Sequence, residues 1–223
     1  MAGVKRSKAR GPAQAKHPPV WIVGCGPGSP DYLTEAARQA AAQAEVLLGS
    51  GRLLRLFADH RGKQIPIDGR VAAVPAKVAA LAREGKRVAV LVTGDPGLFS
   101  LAGKVVDAVG RKHCRIVPGI SSLQVAFARL ALDWSDTRLL SAHGRMPDVA
   151  VAELAEVAKI AVLAGSRAAI SWAAALAAGL HGSHAAWLCE DLTLPTERIR
   201  RVTPGSLARS RPSPLAIVLF IKH

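Results

Sequence analysis

The chain has 223 residues, half of them apolar, and 30 Lys and Arg stand against 16 Asp and Glu for a formal charge of +14. That length and apolar content support a folded core and exclude a peptide or a wholly disordered tail. The positive excess predicts an acidic partner, either nucleic acid or a polycarboxylate small molecule.

Residues 1–19 stand apart. Lys5, Arg6, Lys8, Arg10 and Lys16 are mixed with Ala, Gly and Pro, with no acidic residue and no apolar periodicity. This composition predicts a flexible basic leader, and it lacks the apolar stretch of a secretory signal. Lys159 and Arg167 interrupt the Ala-rich region that follows later, so no segment reads as a membrane span and the expectation is a cytoplasmic protein. Cys25, Cys114 and Cys189 are far apart and odd in number, which fits reduced thiols better than a disulfide framework or a zinc site.

From Val20 onward short apolar runs alternate with Ala/Leu-rich amphipathic stretches, the pattern of an α/β fold. Val20-Trp21-Ile22-Val23 is the first expected strand, followed by a glycine loop and a helix that Thr34 caps, with Glu35 in its positive first turn. Val46-Leu47-Leu48 is the second. A helix over about 71–84 leads into Arg87 to Val92, whose unbroken apolar run predicts a strand buried on both faces. Another helix is expected from Leu98 to Val109, then a strand at Arg115-Ile116-Val117 and a helix from about Ser121.

Residues 131–136 carry no periodicity and place a boundary between an N-terminal α/β domain, 20–133, and a C-terminal one, 134–223. The second domain opens with a strand at Arg138 to Ser141. Further strands are expected at Ile160 to Leu163 and Ala185 to Cys189, around an Ala-rich helix. Glu197 to Val202 and Leu215 to Ile221 have short connections and no helix between them, which predicts antiparallel pairing and hence a mixed sheet.

In an open parallel sheet, ligands sit beyond the carboxyl ends of the strands, and three expected loops there are rich in Gly, Pro and small polar residues. The first is Gly24-Cys25-Gly26-Pro27-Gly28-Ser29-Pro30-Asp31, where glycines let the backbone approach a ligand. Ser29 stands where a dinucleotide fingerprint needs its third glycine. The second, Thr93-Gly94-Asp95-Pro96-Gly97-Leu98-Phe99-Ser100, sets a carboxylate between Gly and Pro, suited to a ligand amine, hydroxyl or cation, or else to capping the next helix. The third, Val117-Pro118-Gly119-Ile120-Ser121-Ser122, offers two hydroxyls and helix N-terminal amides. His181 and His184 have no third ligand nearby, so no metal site is expected.

These three loops, in this order and spacing, resemble the tetrapyrrole methylases, or class III methyltransferases, over nearly all of the chain after the leader. The resemblance implies two α/β domains with S-adenosylmethionine in the cleft between them. It implies cofactor contacts at Gly26, Pro27, Gly94, Asp95, Pro96, Leu98, Ser121, Ser122 and Leu163. The segment Leu163-Ala164-Gly165 departs from the family pattern, in which a threonine-aspartate pair is expected.

Gly94 to Ser100, Ser121 to Gln124, Ser141-Ala142-His143-Gly144-Arg145, and Glu190-Asp191-Leu192 with Glu197-Arg198-Ile199 are most similar to the branch that methylates carbon 5 in the corrin pathway. That likeness implies a polycarboxylate tetrapyrrole substrate, a cobalt-precorrin or precorrin, methylated without decarboxylation, with a homodimer and a separate decarboxylating methylase as expected partners. His143 and Glu190 are the polar groups expected near the acceptor carbon, and Arg145 is expected to pair with a carboxylate arm. Two alternatives also accommodate the charge: a ribosomal RNA methylase on the same scaffold, and a non-catalytic nucleic-acid-binding protein. Aromatics are only 4% of the chain, and the scattered Trp21, Trp134, Trp172 and Trp187 form no stacking stripe for bases.

Overall fold

The computed structural model describes residues 18–67, 69 and 71–223. All but the last two residues of the expected basic leader lie outside them.

The first sheet is wholly parallel. Its strands are β1 (Val20–Gly24), β2 (Val46–Gly49), β3 (Lys63–Pro66), β4 (Val88–Val92) and β5 (Cys114–Val117), in the order β3-β2-β4-β1-β5. Period-two alternation sends β1 side chains to two cores. Trp21 and Val23 meet Ala37, Ala40 and Ala41 of helix α1 (Glu35–Gln43). Val20 and Ile22 meet Val74 and Val78 of α3 (Val74–Arg83) and Val105 of α4 (Ala102–Val109). A fourth helix, α2 (Gly51–Leu54), is a single short turn after β2. Thr34 caps α1 as expected, accepting the Ala37 N–H at 3.2 Å.

The second sheet is mixed, with strands β6 (Thr137–Ser141), β7 (Lys159–Leu163), β8 (His184–Glu190), β9 (Arg198–Val202) and β10 (Ile217–Lys222) in the order β6-β7-β10-β8-β9. Only β6 and β7 run parallel; β10 lies antiparallel between β7 and β8, and β9 antiparallel on β8. One face packs on α7 (Arg167–Gly179), with Leu154 of α6 (Val151–Leu154) and Leu207 of α8 (Pro204–Arg209). The other, through Ala161, Ile217 and Leu219, is covered by Leu123, Val125, Ala126 and Phe127 of α5 (Ser122–Arg129), the helix that carries the chain out of the first sheet.

Two local expectations are corrected. Helix α4 starts at Ala102 rather than Leu98, because Phe99 sits at φ 45°, which cannot continue a right-handed helix. A helix does intervene between the last two strands: Thr203 caps α8 by accepting the Ser206 N–H at 3.2 Å. The antiparallel pairing is made through β8, with β9 on one side of it and β10 on the other.

Candidate active site

The strand order places β4, β1 and β5 side by side, so the three Gly/Pro loops leave neighbouring strands at one edge of the sheet. Their backbones meet at a glycine junction. A Cβ on Gly24 would lie 2.7 Å from the Gly94 carbonyl and 2.6 Å from the Gly119 nitrogen, and one on Gly119 would lie 2.3 Å from the Gly94 carbonyl. No side chain fits at either position without moving backbone. Hydrogen bonds tie the same loops: Cys25 N–H donates to Val92 O at 2.9 Å, and Gly94 N–H to Gly26 O at 2.8 Å.

Asp95 completes the junction. Its Oδ1 accepts the Gly97 N–H at 2.7 Å and its Oδ2 accepts the Gly119 N–H at 3.0 Å, so one carboxylate shapes its own loop and clamps the third. Because α4 begins only at Ala102, Asp95 does not cap it. Ser121 is the N-cap of α5: its hydroxyl oxygen accepts the Gln124 N–H at 3.2 Å, and Gln124 Oε1 accepts the Ser121 N–H at 2.8 Å.

Beyond the junction lies a cleft of about 240 Å³ between the two sheets. It gathers Pro27, Gly94, Asp95, Leu98, Ser121, Ser122, Leu163 and His143 from the expected set. Leu192 and Ile217 add apolar wall from the second sheet's side, as does Pro214. Ala164 N–H donates to Ala216 O at 2.9 Å, and a Cβ on Gly165 would lie 2.1 Å from Pro214 O. The Ala164-Gly165 departure from the family pattern therefore permits a backbone contact that a larger residue at 165 would block.

Four expected residues are not in the cleft wall. Gly26 and Pro96 are buried within the loops and act through backbone geometry. Arg145 is exposed on the loop after His143. Glu190, fully buried at the end of β8, spends its carboxylate on Arg200 and Arg198, 3.4 and 3.6 Å away, and on the Ser213 N–H at 3.2 Å.

Several residues at or beside the site were not singled out in the sequence, Phe99 and Arg52 among them. Phe99 lines the cleft and is 56% exposed. Arg52, on α2, donates from Nη2 to Thr93 Oγ1 at 2.8 Å and from Nη1 to Pro27 O at 3.5 Å, touching two residues of the cleft wall. Burial lowers the pKa of its guanidinium from the usual value, and the nearby charge of Arg55 acts in the same direction. No signal for Arg52 exists in the sequence, where it is one arginine among many in a strongly basic chain.

Comparison with known proteins agrees with this arrangement. The family model described as Tetrapyrrole (Corrin/Porphyrin) Methylases matches residues 19–208. The cobalt-precorrin-7 C(5)-methyltransferase of Salmonella typhimurium is 32% identical over 179 residues, covering 80% of this chain and 87% of that protein. The crystal structure of the cobalamin biosynthesis precorrin-6Y methylase from Archaeoglobus fulgidus superposes with a TM-score of 0.72 at 28% identity, covering 92% of this chain and 98% of the other. That of the uroporphyrin-III C-methyltransferase from Thermus thermophilus, complexed with S-adenosylhomocysteine, has a TM-score of 0.75 at 24% identity, covering 91% and 96%. With its cleft framed by three loops and the family model matched across both sheets, the chain belongs to the tetrapyrrole methylases and is a methyltransferase.

Proposed function

We propose that this enzyme transfers a methyl group from S-adenosylmethionine to carbon 5 of a cobalt-precorrin, without decarboxylation. The observation that carries the cofactor assignment is the convergence of the three loops on one glycine junction, beside a cleft lined by the polar Asp95, Ser121 and Ser122 together with the apolar Leu98, Leu163 and Ile217. That donor set fits a ligand with an aromatic base at one end and polar groups at the other. The ring position rests on the likeness to the C(5)-methyltransferase of Salmonella typhimurium.

When bound, S-adenosylmethionine supplies an activated methyl group on a sulfonium. The protein's own task is to hold two reactants in line and exclude water, an effect worth up to roughly 7–11 kcal/mol. Leu98, Leu163 and Ile217 exclude water around the ligand, while Asp95 retains lone pairs beyond its two backbone bonds to accept from ligand donors. His143 lines the cleft and is exposed, which supports its role as the group that takes a proton where one leaves the acceptor. Phe99 holds a left-handed backbone that a bulky side chain rarely adopts, and it offers an exposed aromatic face to the ring atoms of the macrocycle. A homodimer and a separate decarboxylating methylase complete the proposal.

Calorimetric titration with S-adenosylhomocysteine, followed by a transfer assay offering cobalt-precorrin and ribosomal RNA in parallel, tests it. Heat of binding and methylation of the corrinoid alone are expected. Methylation of the RNA, or no binding of the nucleoside, would reject it.

A further inference from the structure

A corrin precursor carries several carboxylate arms, and a methylase acting on one must hold at least some of them. Arg145, the residue expected for this from the sequence, is exposed and outside the cleft wall. Arg52 is likewise not part of the cleft wall, but unlike Arg145 it is hydrogen-bonded to two residues that are. It projects from the turn after β2 onto Thr93 and Pro27, which belong to two of the three loops that meet at the glycine junction. These two bonds use only part of what a guanidinium can donate.

Among the described residues Arg52 makes no ion pair with a carboxylate. The acidic side chain whose field reaches it, Asp191, has its own oxygens committed to the hydroxyls of Ser213 and Thr196. Arg55 is close enough to repel it. A part-buried cation with a like charge nearby and no counter-ion is an unfavourable arrangement in the free protein. A ligand carboxylate docking there would relieve it, and the planar fork of arginine suits bidentate pairing with that group.

We infer that Arg52 anchors a carboxylate arm of the tetrapyrrole beside the cofactor cleft, as a specificity-determining residue of the methyl transfer. The inference rests on the proposed function and adds to it the residue that selects a polyanionic macrocycle.

Uroporphyrin, a tetrapyrrole whose arms all end in carboxylates, serves as the probe, followed by quenching of tryptophan fluorescence in the intact protein. S-adenosylhomocysteine affinity is measured alongside by calorimetry. Arg52→Gln is expected to weaken uroporphyrin binding tenfold or more while changing S-adenosylhomocysteine affinity less than threefold. Arg52→Lys, which keeps the charge and loses the fork, should fall between wild type and Gln, and it carries the test if the Gln variant fails to fold. Equal uroporphyrin affinity in wild type and variants would overturn the inference and leave the methylase assignment intact. A parallel loss of both ligands would also overturn it, making Arg52 only a strut between loops. If the wild-type protein binds S-adenosylhomocysteine but no uroporphyrin, the tetrapyrrole substrate itself is wrong and the inference falls with it.

Discussion

The buried Glu190 carboxylate at the end of β8 accepts the backbone N–H of Ser213 through Oε1 at 3.2 Å, holding the segment that continues into Pro214 and Ile217 of the cleft wall. Its Oε2 faces Arg200 and Arg198. Glu190 thus holds a segment of the wall and does not itself line the cleft. Glu190→Gln keeps the shape, but its amide N–H₂ is a donor and can serve neither the arginines nor the Ser213 N–H, so the single amide oxygen satisfies one side only. Removing one partner of a buried pair costs several kcal/mol, and because both arginines are substantially exposed the expected loss is roughly 1–3 kcal/mol. Urea unfolding measures it, and kcat should stay within about tenfold of wild type. A kcat loss of about a hundredfold or more with unchanged stability would instead make Glu190 a proton-transfer group.

Gly119→Ala would set a Cβ 2.3 Å from the Gly94 carbonyl, so the second and third loops must separate. Calorimetry is expected to show loss of S-adenosylhomocysteine binding, with a stability cost of about 1–3 kcal/mol for the overpacked junction. Gly85→Ala is the control: its φ is +76° but nothing lies within 4 Å of the added atom, so it should cost about 1 kcal/mol and leave binding intact. Normal binding by the Gly119 variant would refute the idea that the junction shapes the site.

Asp95→Asn tests the clamp. The aspartate accepts two backbone N–H bonds, whereas an asparagine can accept only one and turns its amide toward the other donor. Stability should fall by about 1 kcal/mol, and S-adenosylhomocysteine affinity by about tenfold or more, equivalent to roughly 1.4 kcal/mol. A stability loss without an affinity change would confine Asp95 to loop architecture.

The three loops were legible because each combines Gly and Pro with small polar residues directly after an apolar run, and the run Val88–Val92 is buried at every position. Strand β3 was missed for the opposite reason: Lys63-Gln64-Ile65-Pro66 is an edge strand with no fully buried residue, so burial imposed no apolar pattern on it. The late start of α4 depends on the left-handed Phe99, a conformation no propensity rule assigns to phenylalanine. Arg52 was missed, and Glu190 was expected near the acceptor, because the surroundings of each are made by chain segments far away: Thr93 and Pro27 for the first, Ser213 for the second. The expected mixed second sheet was recoverable, since short links around β8 and β9 leave little room for parallel crossovers.

Burial pushes the thiols of Cys25 and Cys189 up to about 12, so at pH 8 on the order of one thiol in ten thousand is the reactive thiolate. Cys114, half-buried on the edge strand β5, is raised less far. Mass spectrometry after brief alkylation of the native protein should find Cys114 labelled first. An acid whose pKa is raised on folding stabilises the fold below its unfolded pKa and loses that contribution as pH climbs through the folded value. Stability is therefore expected to decline from about pH 9, the ordinary thiol value, toward about 12. Early labelling of Cys25 would show that the first loop opens readily.

Transfer of a ¹³C-labelled methyl group from S-adenosylmethionine to cobalt-precorrin-7, read by NMR of the product, tests the central claim most directly. The expected result is one new methyl signal on carbon 5, S-adenosylhomocysteine formed in equal amount, and every carboxylate arm retained. A label on another ring carbon, loss of an arm as carbon dioxide, or no transfer by protein that binds S-adenosylhomocysteine would contradict it.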